Sequence, residues 1–332
     1  MAGPLDGVKI ADFTEIIAGP LAGRLLAEMG ADVIKIEPPW GEPWRLNQRF
    51  TATESRGFMV YNRGKRSLPL DLTKPESQEI LGRLIPQVDV VLANFRPDVA
   101  AKLGVDYPTL DSLNPRLVYC EVTAHGRAGP EADRPGYDMI LQAMSGLMAC
   151  ETKLDNGVPQ QIWSTPLIDT TAGFCLAWCV CGALFAREQT GKGQKVETSL
   201  LGSALALMGA RFLNVEDLDR ETRHKALQDL EEKRASSASY QELLDASPGS
   251  RRQRHHANVY YRVYLTKDSP ISVGCLSDPL RRRLLDTLGL TDIGLEPGYN
   301  PNTPKALAYA KDLEGQAEKI LIKNTSAYWL EL

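Results

Sequence analysis

The N-terminal segment alternates between strand-like and helix-like patterns, and this alternation constrains the fold more than any other feature of the chain. Residues 8–13 and 32–37 are short, largely apolar segments that predict buried β-strands. Between them, Gly19-Pro20 leads into residues 21–29, where apolar side chains recur four residues apart and predict a helix. Two strands joined by a helix in this way lie parallel in one sheet.

The same alternation continues through the first two thirds of the chain. Residues 75–85 predict a helix, and residues 88–92 and 116–122 predict further strands. These strands carry apolar side chains on both faces, which is typical of a sheet covered by helices on both sides. We therefore predict an α/β large domain, residues 1–213, built on a doubly wound, mostly parallel, Rossmann-like sheet.

The composition changes after this domain. Residues 214–257 are charged and predict a helical linker that ends in a basic loop, residues 251–256. Residues 258–332 contain a predicted β-hairpin followed by helices and predict a smaller α+β domain. The last predicted helix has less than two turns when the chain stops at Leu332, so we expect the chain to be truncated relative to its natural fold.

Charge and cysteine usage restrict the class of protein. The formal net charge of −4 argues against a protein that binds nucleic acid or a membrane surface. The six cysteines form no C-x-x-C pair, and the N-terminus is not typical of a signal peptide, so we expect a cytoplasmic protein. Three of the cysteines lie in the apolar segment 173–185, where Cys is usually a small hydrophobic residue, and no metal site is predicted.

Asp169 lies just before that apolar segment, within residues 164–173. A carboxylate in the first turn of a helix is stabilised by the helix dipole, which is typical of a structural aspartate. A carboxylate in front of a buried helix can also be a nucleophile. The local sequence favours the structural interpretation and leaves the catalytic one open.

Other segments offer weaker candidate sites. Residues 19–23 lack the G-x-G-x-x-G spacing, and Pro20 lacks an N–H, so a close-packed helix start is favoured over a dinucleotide site. Residues 62–67 carry three cations around Gly64. This segment could bind phosphates or be an ordinary basic turn on the surface. His125 follows the end of a predicted strand, where ligands gather in such sheets.

Several segments, none of them specific alone, together resemble the family III CoA-transferases in their order and spacing. This family includes formyl-CoA, carnitine and bile-acid CoA-transferases and α-methylacyl-CoA racemase. The resemblance is dense over residues 4–210 and loose over residues 258–332. The matching segments are residues 5–10, 18–20, 29–37, 62–67, 70–72, 94–97, 113–116, 135–138, 142–143, 145–146, 169–173 and 190–194.

The resemblance implies that Asp169 is the nucleophile of an acyl-CoA:carboxylate CoA-transferase. Its carboxylate would attack the donor thioester, and CoA thiolate would return to form an aspartyl-CoA thioester that an acceptor carboxylate then resolves. From the helix start we expect Asp169 to be ionised. The alternatives are a racemase or epimerase of the same family and an inactive, truncated CoA-binding protein.

The resemblance also implies that coenzyme A is a cosubstrate, with no tightly bound cofactor. Lys102 stands where formyl-CoA transferase has an arginine; the positive charge is kept, but the bidentate contact that a guanidinium can make is lost. Pro38 stands where that enzyme has a second arginine. Arg96 and Arg45 are the candidates to compensate. By position, the CoA contacts of the family fall on Ile17, Ala18, Arg45, Leu70, Thr73, Asn94, Phe95, Arg96, Lys102, Thr123, Ala124 and His125.

Two departures from the family pattern bear on the activity. Tyr137 stands where the racemases have a histidine, and tyrosine is a poor general base, so transfer is favoured over racemisation unless His125 substitutes. Residues 247–250 lack the glycine run of formyl-CoA transferase, so we do not expect formyl-CoA or oxalate as substrates.

Members of the family form interlocked homodimers, in which the chain enters the small domain and then returns to the large one. We expect the returning C-terminal segment to be missing here and the homodimer to be weakened. The expected partners are acyl-CoA and carboxylic acid substrates, with no nucleic acid and no membrane.

Overall fold

The computed structural model describes residues 3–151, 153–246, 258–301 and 303–332. The chain divides into two compact units, Met1–Val215 and Glu216–Leu332. The helical part of the predicted linker belongs to the second unit. The predicted basic loop, residues 251–256, and the segment compared with a glycine lid, residues 247–250, lie outside the described residues.

The first unit is built on a six-stranded sheet in which all neighbouring strands are parallel. The spatial order is β3-β2-β1-β4-β5-β8, and β6 pairs antiparallel with β7 in a separate ribbon. The predicted doubly wound, Rossmann-like fold class is therefore confirmed. The strands are β1 (Lys9–Asp12), β2 (Asp32–Glu37), β3 (Arg66–Pro69), β4 (Val90–Ala93), β5 (Val118–Thr123), β6 (Leu154–Asp155), β7 (Val158–Pro159) and β8 (Gln194–Ser199).

Helices cover both faces of this sheet. Successive strand residues face opposite cores: Ile10 of β1 packs into one buried cluster with α1 and α9, and Ala11 packs into another with α4 and α6. The helices of the first unit are α1 (Ala18–Glu28), α2 (Pro43–Leu46), α3 (Arg56–Asn62), α4 (Pro75–Leu84), α5 (Pro97–Lys102), α6 (Tyr107–Leu113), α7 (Asp138–Met144), α8 (Leu147–Glu151), α9 (Leu167–Thr190) and α10 (Leu200–Met208).

The long helix α9 packs closely against α1. A Cβ added to Gly173 would lie only 2.8 Å from the carbonyl oxygen of Ala18, so the two helix backbones meet at a position that only glycine fits. This contact lies one turn after Asp169. It therefore places the first turn of α9 beside the N-terminus of α1.

α9 is also apolar over much of its circumference. Within the described ranges it is the one helix long and apolar enough to cross a membrane by length and composition. Half of its most apolar window is buried, against the sheet and α1, as in the core helix of a globular protein. Phe174, Trp178 and Phe185, which share one side of the helix, are exposed.

The second unit contains an antiparallel hairpin and packed helices, as the sequence predicts for this region. In the hairpin, Pro270 pairs with Leu265. The hydroxyl of Thr325 accepts a hydrogen bond from the Tyr328 N–H at the start of the last helix. The elements are α11 (Glu216–Ala235), α12 (Tyr240–Ala246), β9 (Tyr261–Leu265), β10 (Pro270–Gly274), α13 (Asp278–Leu288), α14 (Pro304–Leu321) and α15 (Ser326–Glu331).

Candidate active site

A cavity of about 320 Å³ opens at the carboxyl ends of β1, β4 and β5 in the first unit. The strand order reverses between β1 and β4, and ligands of doubly wound proteins bind at such a switch point. Its walls come from residues 15–18 after β1, residues 94–96 after β4 and residues 122–124 at the end of β5. Asp169, in the first turn of α9, completes the wall.

The cavity brings together Asp169 and most of the residues predicted to contact CoA. The predicted residues that line it are Ile17, Ala18, Asn94, Phe95, Arg96, Thr123 and Ala124. The predicted residues that do not line it are Arg45, Leu70, Thr73, Lys102 and His125. His125 lies next to the lining residue Gly136, and its Nε2 would be 3.4 Å from a Cβ added there.

Two cations that were predicted to contact CoA lie outside the cavity and already have partners within the chain. Arg45 donates from Nε and Nη2 to the carboxylate of Glu37, at 2.7 Å for each bond, and its guanidinium stacks on Phe58. Lys102 pairs with Asp98 at an exposed position, at 3.1 Å. A CoA phosphate would therefore have to displace the buried Glu37 to reach Arg45, whereas it could recruit Lys102 easily.

Two arginines do line the cavity. Arg96 lies 3.8 Å from Asp98, and Arg134 lies 2.8 Å from Glu131, and both arginine side chains are exposed. Exposed ion pairs of this kind are weak, so a phosphate or carboxylate can compete for the guanidinium groups. Arg134 was not among the predicted contacts, because it follows no strand and lies in an irregular segment.

The two weaker candidate segments serve the fold. A Cβ on Gly19 would lie 2.3 Å from Cβ of Thr14, which supports the close-packed helix start over a dinucleotide site. In residues 62–67, Lys65 is buried and bonds to Asp12 at 2.7 Å. Arg63 and Arg66 pair with Glu28 and Asp32, so these three cations are engaged within the chain.

The turn between β1 and α1 is strained and held from outside. Ile16 has φ of 74°, a left-handed conformation that is costly for a β-branched residue. On one side, the Asn94 amide accepts from the Glu15 N–H at 3.0 Å and donates to the Glu15 carbonyl at 2.8 Å. On the other side, Glu42 accepts from the Ile16 N–H at 3.0 Å. Asn94 therefore lines the cavity, but the oxygen and the nitrogen of its side-chain amide are both hydrogen-bonded to this turn.

Asp169 does not cap its own helix, because a second carboxylate occupies that position. Oδ2 of Asp138 accepts hydrogen bonds from the N–H groups of Ile168, at 2.8 Å, and Asp169, at 3.1 Å. Oδ1 of Asp138 accepts a further bond from the Gln142 amide. Gln142 in turn accepts from the Ile162 N–H at 3.0 Å, so both oxygens of Asp138 are fixed.

The expectation that Asp169 is ionised by its helix start is wrong. Burial raises the pKa of Asp169 to about 7, and the negative charge of Asp138 adds to this effect. The positive end of the helix acts on Asp138, which takes the terminal N–H groups. The helix start therefore does not hold Asp169 in its ionised form at neutral pH.

Two further titratable groups share this environment. Glu15 lines the cavity, and burial raises its pKa against the opposing charge of Lys35. Burial also raises the pKa of Tyr61, and the charge of Asp169 adds to this effect, which places Tyr61 near the same carboxylate. Glu15 was not among the predicted site residues, although its position shortly after the first strand could have identified it.

Comparisons with known proteins agree with this architecture. A family model for CoA-transferase family III matches residues 5–332. The chain is 31% identical to the acetyl-CoA:oxalate CoA-transferase of Acetobacter aceti, covering 99% of this chain and 78% of that protein. It is 32% identical to the succinate–glutarate CoA-transferase of Agrobacterium fabrum, over 90% of this chain and 70% of that protein.

Among solved structures, Rv3272 from Mycobacterium tuberculosis superimposes with a TM-score of 0.77 at 29% identity, covering 99% of this chain and 80% of that one. The fold and the cavity thus define an α/β enzyme with a carboxylate at its switch point. The chain belongs to CoA-transferase family III. Membership implies acyl-CoA and carboxylate substrates, with coenzyme A as cosubstrate.

Proposed function

We propose that this enzyme is an acyl-CoA:carboxylate CoA-transferase with Asp169 as its nucleophile. The observation that carries the proposal is the Asp169 carboxyl itself. It lines the switch-point cavity, it is partly buried, and no donor in the described part of the chain forms a hydrogen bond with it. A carboxylate in this state is available to attack a carbonyl carbon in the cavity.

The reaction then runs in two symmetric halves. An Asp169 oxygen attacks the donor thioester, the C–S bond breaks, and CoA leaves as the thiolate, which gives an acyl-aspartyl anhydride. The thiolate attacks the Asp169 carbonyl and expels the donor acid, leaving an aspartyl-CoA thioester. The acceptor carboxylate attacks the carbonyl carbon of this thioester, the C–S bond breaks, and CoA leaves again as the thiolate, which gives an acceptor-aspartyl anhydride. The thiolate then attacks the acceptor carbonyl of this anhydride, which releases acceptor-CoA and the free Asp169 carboxylate.

The cavity is suited to this sequence of steps. Carboxylates are good leaving groups from an anhydride, so every step is reversible and the energy of the thioester is retained. Water would hydrolyse the anhydride, and apolar side chains restrict its access. The apolar residues of the wall are Ile16, Ile17, Ala18, Phe95, Val99, Val122, Ala124, Ala132, Pro135 and Leu200.

The position of the CoA cosubstrate follows from the same cavity. We place its thioester end beside Asp169 and its pantetheine arm along residues 16–18, with Arg96 and Arg134 available for its phosphates. CoA is longer than this cavity. Lys102, Thr73 and Leu70 therefore stay predictions for contacts of its nucleotide end.

Two features favour transfer over racemisation. Tyr137 lines the cavity at the position where the racemases have a histidine, and tyrosine is a poor general base. His125 does not line the cavity, so the residue that could substitute for it is not in place. The two CoA-transferases named above are named for oxalate and for succinate and glutarate, so succinate and glutarate are the first acceptors to test, with oxalate as the test of the expectation from residues 247–250 that it is not a substrate.

We also infer a homodimer in the cytoplasm. The exposed stripe Phe174, Trp178 and Phe185 on α9 is an apolar surface of the kind that subunit interfaces cover. The negative net charge and the cysteine usage are typical of a cytoplasmic enzyme.

Trapping of the intermediate tests the function. Wild-type enzyme is incubated with succinyl-CoA and hydroxylamine, and the peptide that contains Asp169 is analysed by mass spectrometry for a hydroxamate. We expect the adduct on Asp169 and loss of transfer in Asp169→Ala. Full transfer by Asp169→Ala would rule out this mechanism. Deuterium uptake at the α-carbon of a 2-methylacyl-CoA without any acceptor would instead support a racemase.

A further inference from the structure

We propose that Asp138 is a positioning residue for the nucleophile: it takes the N–H groups at the start of α9 and so leaves the Asp169 carboxylate without a hydrogen bond from its own helix. This inference rests on the proposed function, in which Asp169 attacks the thioester. It concerns Asp138, which accepts hydrogen bonds from the start of α9, whereas the reacting group is the carboxylate of Asp169.

The geometry of Asp138 is that of a fixed group. The residue begins α7 and is buried, with 7% of its surface exposed. One oxygen accepts from Ile168 and Asp169, and the other accepts from Gln142. Because Gln142 is itself anchored on the Ile162 N–H, neither oxygen of Asp138 can rotate towards the cavity without losing a bond.

α9 does not supply this cap from its own sequence. Its N-cap position is Pro166, whose side chain has no polar atom. Asp169 is the acidic residue of its first turn and would be the natural partner of the free N–H groups. Asp138 occupies these groups from another helix and thereby excludes Asp169 from them.

The consequence for Asp169 is electrostatic. A carboxylate that receives two backbone N–H bonds is stabilised in its charged form and becomes a weaker nucleophile. Here these bonds go to Asp138, whose own negative charge lies behind Asp169. The titratable and charged groups that face Asp169 from the packed elements and the cavity wall are Glu15, Tyr61, Arg96, Arg134, Tyr137 and Asp138.

A purely structural cap would behave differently from a positioning residue. In Asp138→Asn, the amide oxygen can still accept the two helix N–H bonds, but the negative charge is gone. If Asp138 acts on α9 only as a hydrogen-bond acceptor and its charge does not act on Asp169, the protonation of Asp169 is unchanged in this variant. The proposal predicts that Asp169 ionises at lower pH, by about one pH unit, because a like charge has been removed.

Carbodiimide labelling measures this protonation without any substrate. A carbodiimide adds to the protonated carboxyl, and added methylamine displaces the urea to form an amide, which is quantified on the Asp169 peptide by mass spectrometry. In the wild type we expect labelling to fall as pH rises through about 7. In Asp138→Asn we expect the same fall about one pH unit lower. The control is Asp133→Asn, which removes an exposed carboxylate and keeps the wild-type midpoint.

The outcomes separate this inference from the proposed function. An unchanged labelling midpoint in Asp138→Asn, with a folded protein, overturns the positioning role. A shifted midpoint in an enzyme that forms no Asp169 adduct keeps the Asp138 role and overturns the function. If Asp138→Asn does not fold, Asp138→Glu is measured in its place. Glutamate keeps the negative charge, so the proposal requires the pH midpoint of Asp169 labelling to stay within a few tenths of a pH unit of the wild-type value. A midpoint one pH unit lower refutes the proposal.

Discussion

Asp169 changes its protonation state within the physiological pH range, since burial raises its pKa to about 7. Only the ionised carboxylate attacks a thioester, so we expect kcat/KM for the acyl-CoA donor to rise with pH and level off above pH 8. A profile measured between pH 5.5 and 9 checks this. A rate that is flat across pH 7 contradicts it.

The same group affects stability. An acid whose pKa is higher in the folded state binds more protons in that state than in the unfolded chain. The free energy of unfolding therefore falls as pH rises from 3.8, the ordinary pKa, to about 7, the pKa of folded Asp169. Asp169→Asn removes this loss, because the neutral amide does not ionise. At pH 8 we expect the free energy of unfolding to increase by about 2–4 kcal/mol, and at pH 4 we expect little change. Urea denaturation at both pH values is the measurement.

Glu15 gives the site a second acid with a raised pKa. When Glu15 ionises at high pH, it adds a negative charge to the cavity that must also accept a carboxylate. We expect the KM for the acceptor acid to rise more steeply with pH in the wild type than in Glu15→Gln, whose amide does not ionise. Glu79→Gln, which alters an exposed carboxylate of α4, is the control and should follow the wild type.

The sequence predicts Asp169 as the nucleophile only through its family resemblance, and it did not predict the protonation state. Asp169 lies in a first helical turn, which suits a structural carboxylate equally well. Its pKa depends on burial and on Asp138, which is distant in the chain and reaches the same helix start through the fold. Neither effect can be read from the spacing of residues.

The contact between α1 and α9 sets the position of Asp169 relative to the part of the cavity wall formed by the start of α1. In Gly173→Ala, the added methyl would meet the Ala18 carbonyl oxygen at 2.8 Å, so the helices must separate. We expect the variant to lose about 1–3 kcal/mol of stability and to reduce kcat more than tenfold. Gly182→Ala on the same helix meets no atom within 4 Å and should be neutral or slightly stabilising.

A buried ion pair joins β1 to the turn before β3. Burial alone would raise the pKa of Asp12, and the charges of Lys65 and Lys35 more than offset this and lower it. Lys65→Met leaves the Asp12 carboxylate buried without this partner, so we expect a loss of about 3–5 kcal/mol. Arg66→Met breaks an exposed pair with Asp32 and should cost less than about 1 kcal/mol. Thermal and urea unfolding compare the two variants.

The strands that could be predicted are those at the centre of the sheet. β1, β2, β4 and β5 are largely apolar and buried, and their patterns identified them. β8, at an edge, was missed because it alternates Lys195 and Glu197 with smaller residues and is half exposed. Edge strands of a sheet often carry charges, which removes the apolar signal on which the prediction depends.

At the scale of the whole molecule, the exposed stripe on α9 predicts how the oligomer responds to substitution. Trp178 is 78% exposed, so Trp178→Lys should not disturb the fold of one subunit. We expect the variant to have half the wild-type mass by multi-angle light scattering at micromolar concentration. Trp40→Lys changes an exposed tryptophan outside the stripe and should keep the wild-type mass. Equal masses for wild type and Trp178→Lys would exclude this surface as the interface.

The strained turn at Ile16 also has a consequence for the order of events during synthesis. Its clamp, Asn94, is translated long after the turn itself, and the other support, Glu42, also comes later. The nascent first strand and helix therefore leave the ribosome with this turn unsupported and free to relax. The wall of the cavity reaches its final shape only when the fourth strand joins the sheet, so binding competence is acquired late, as a property of the assembled sheet.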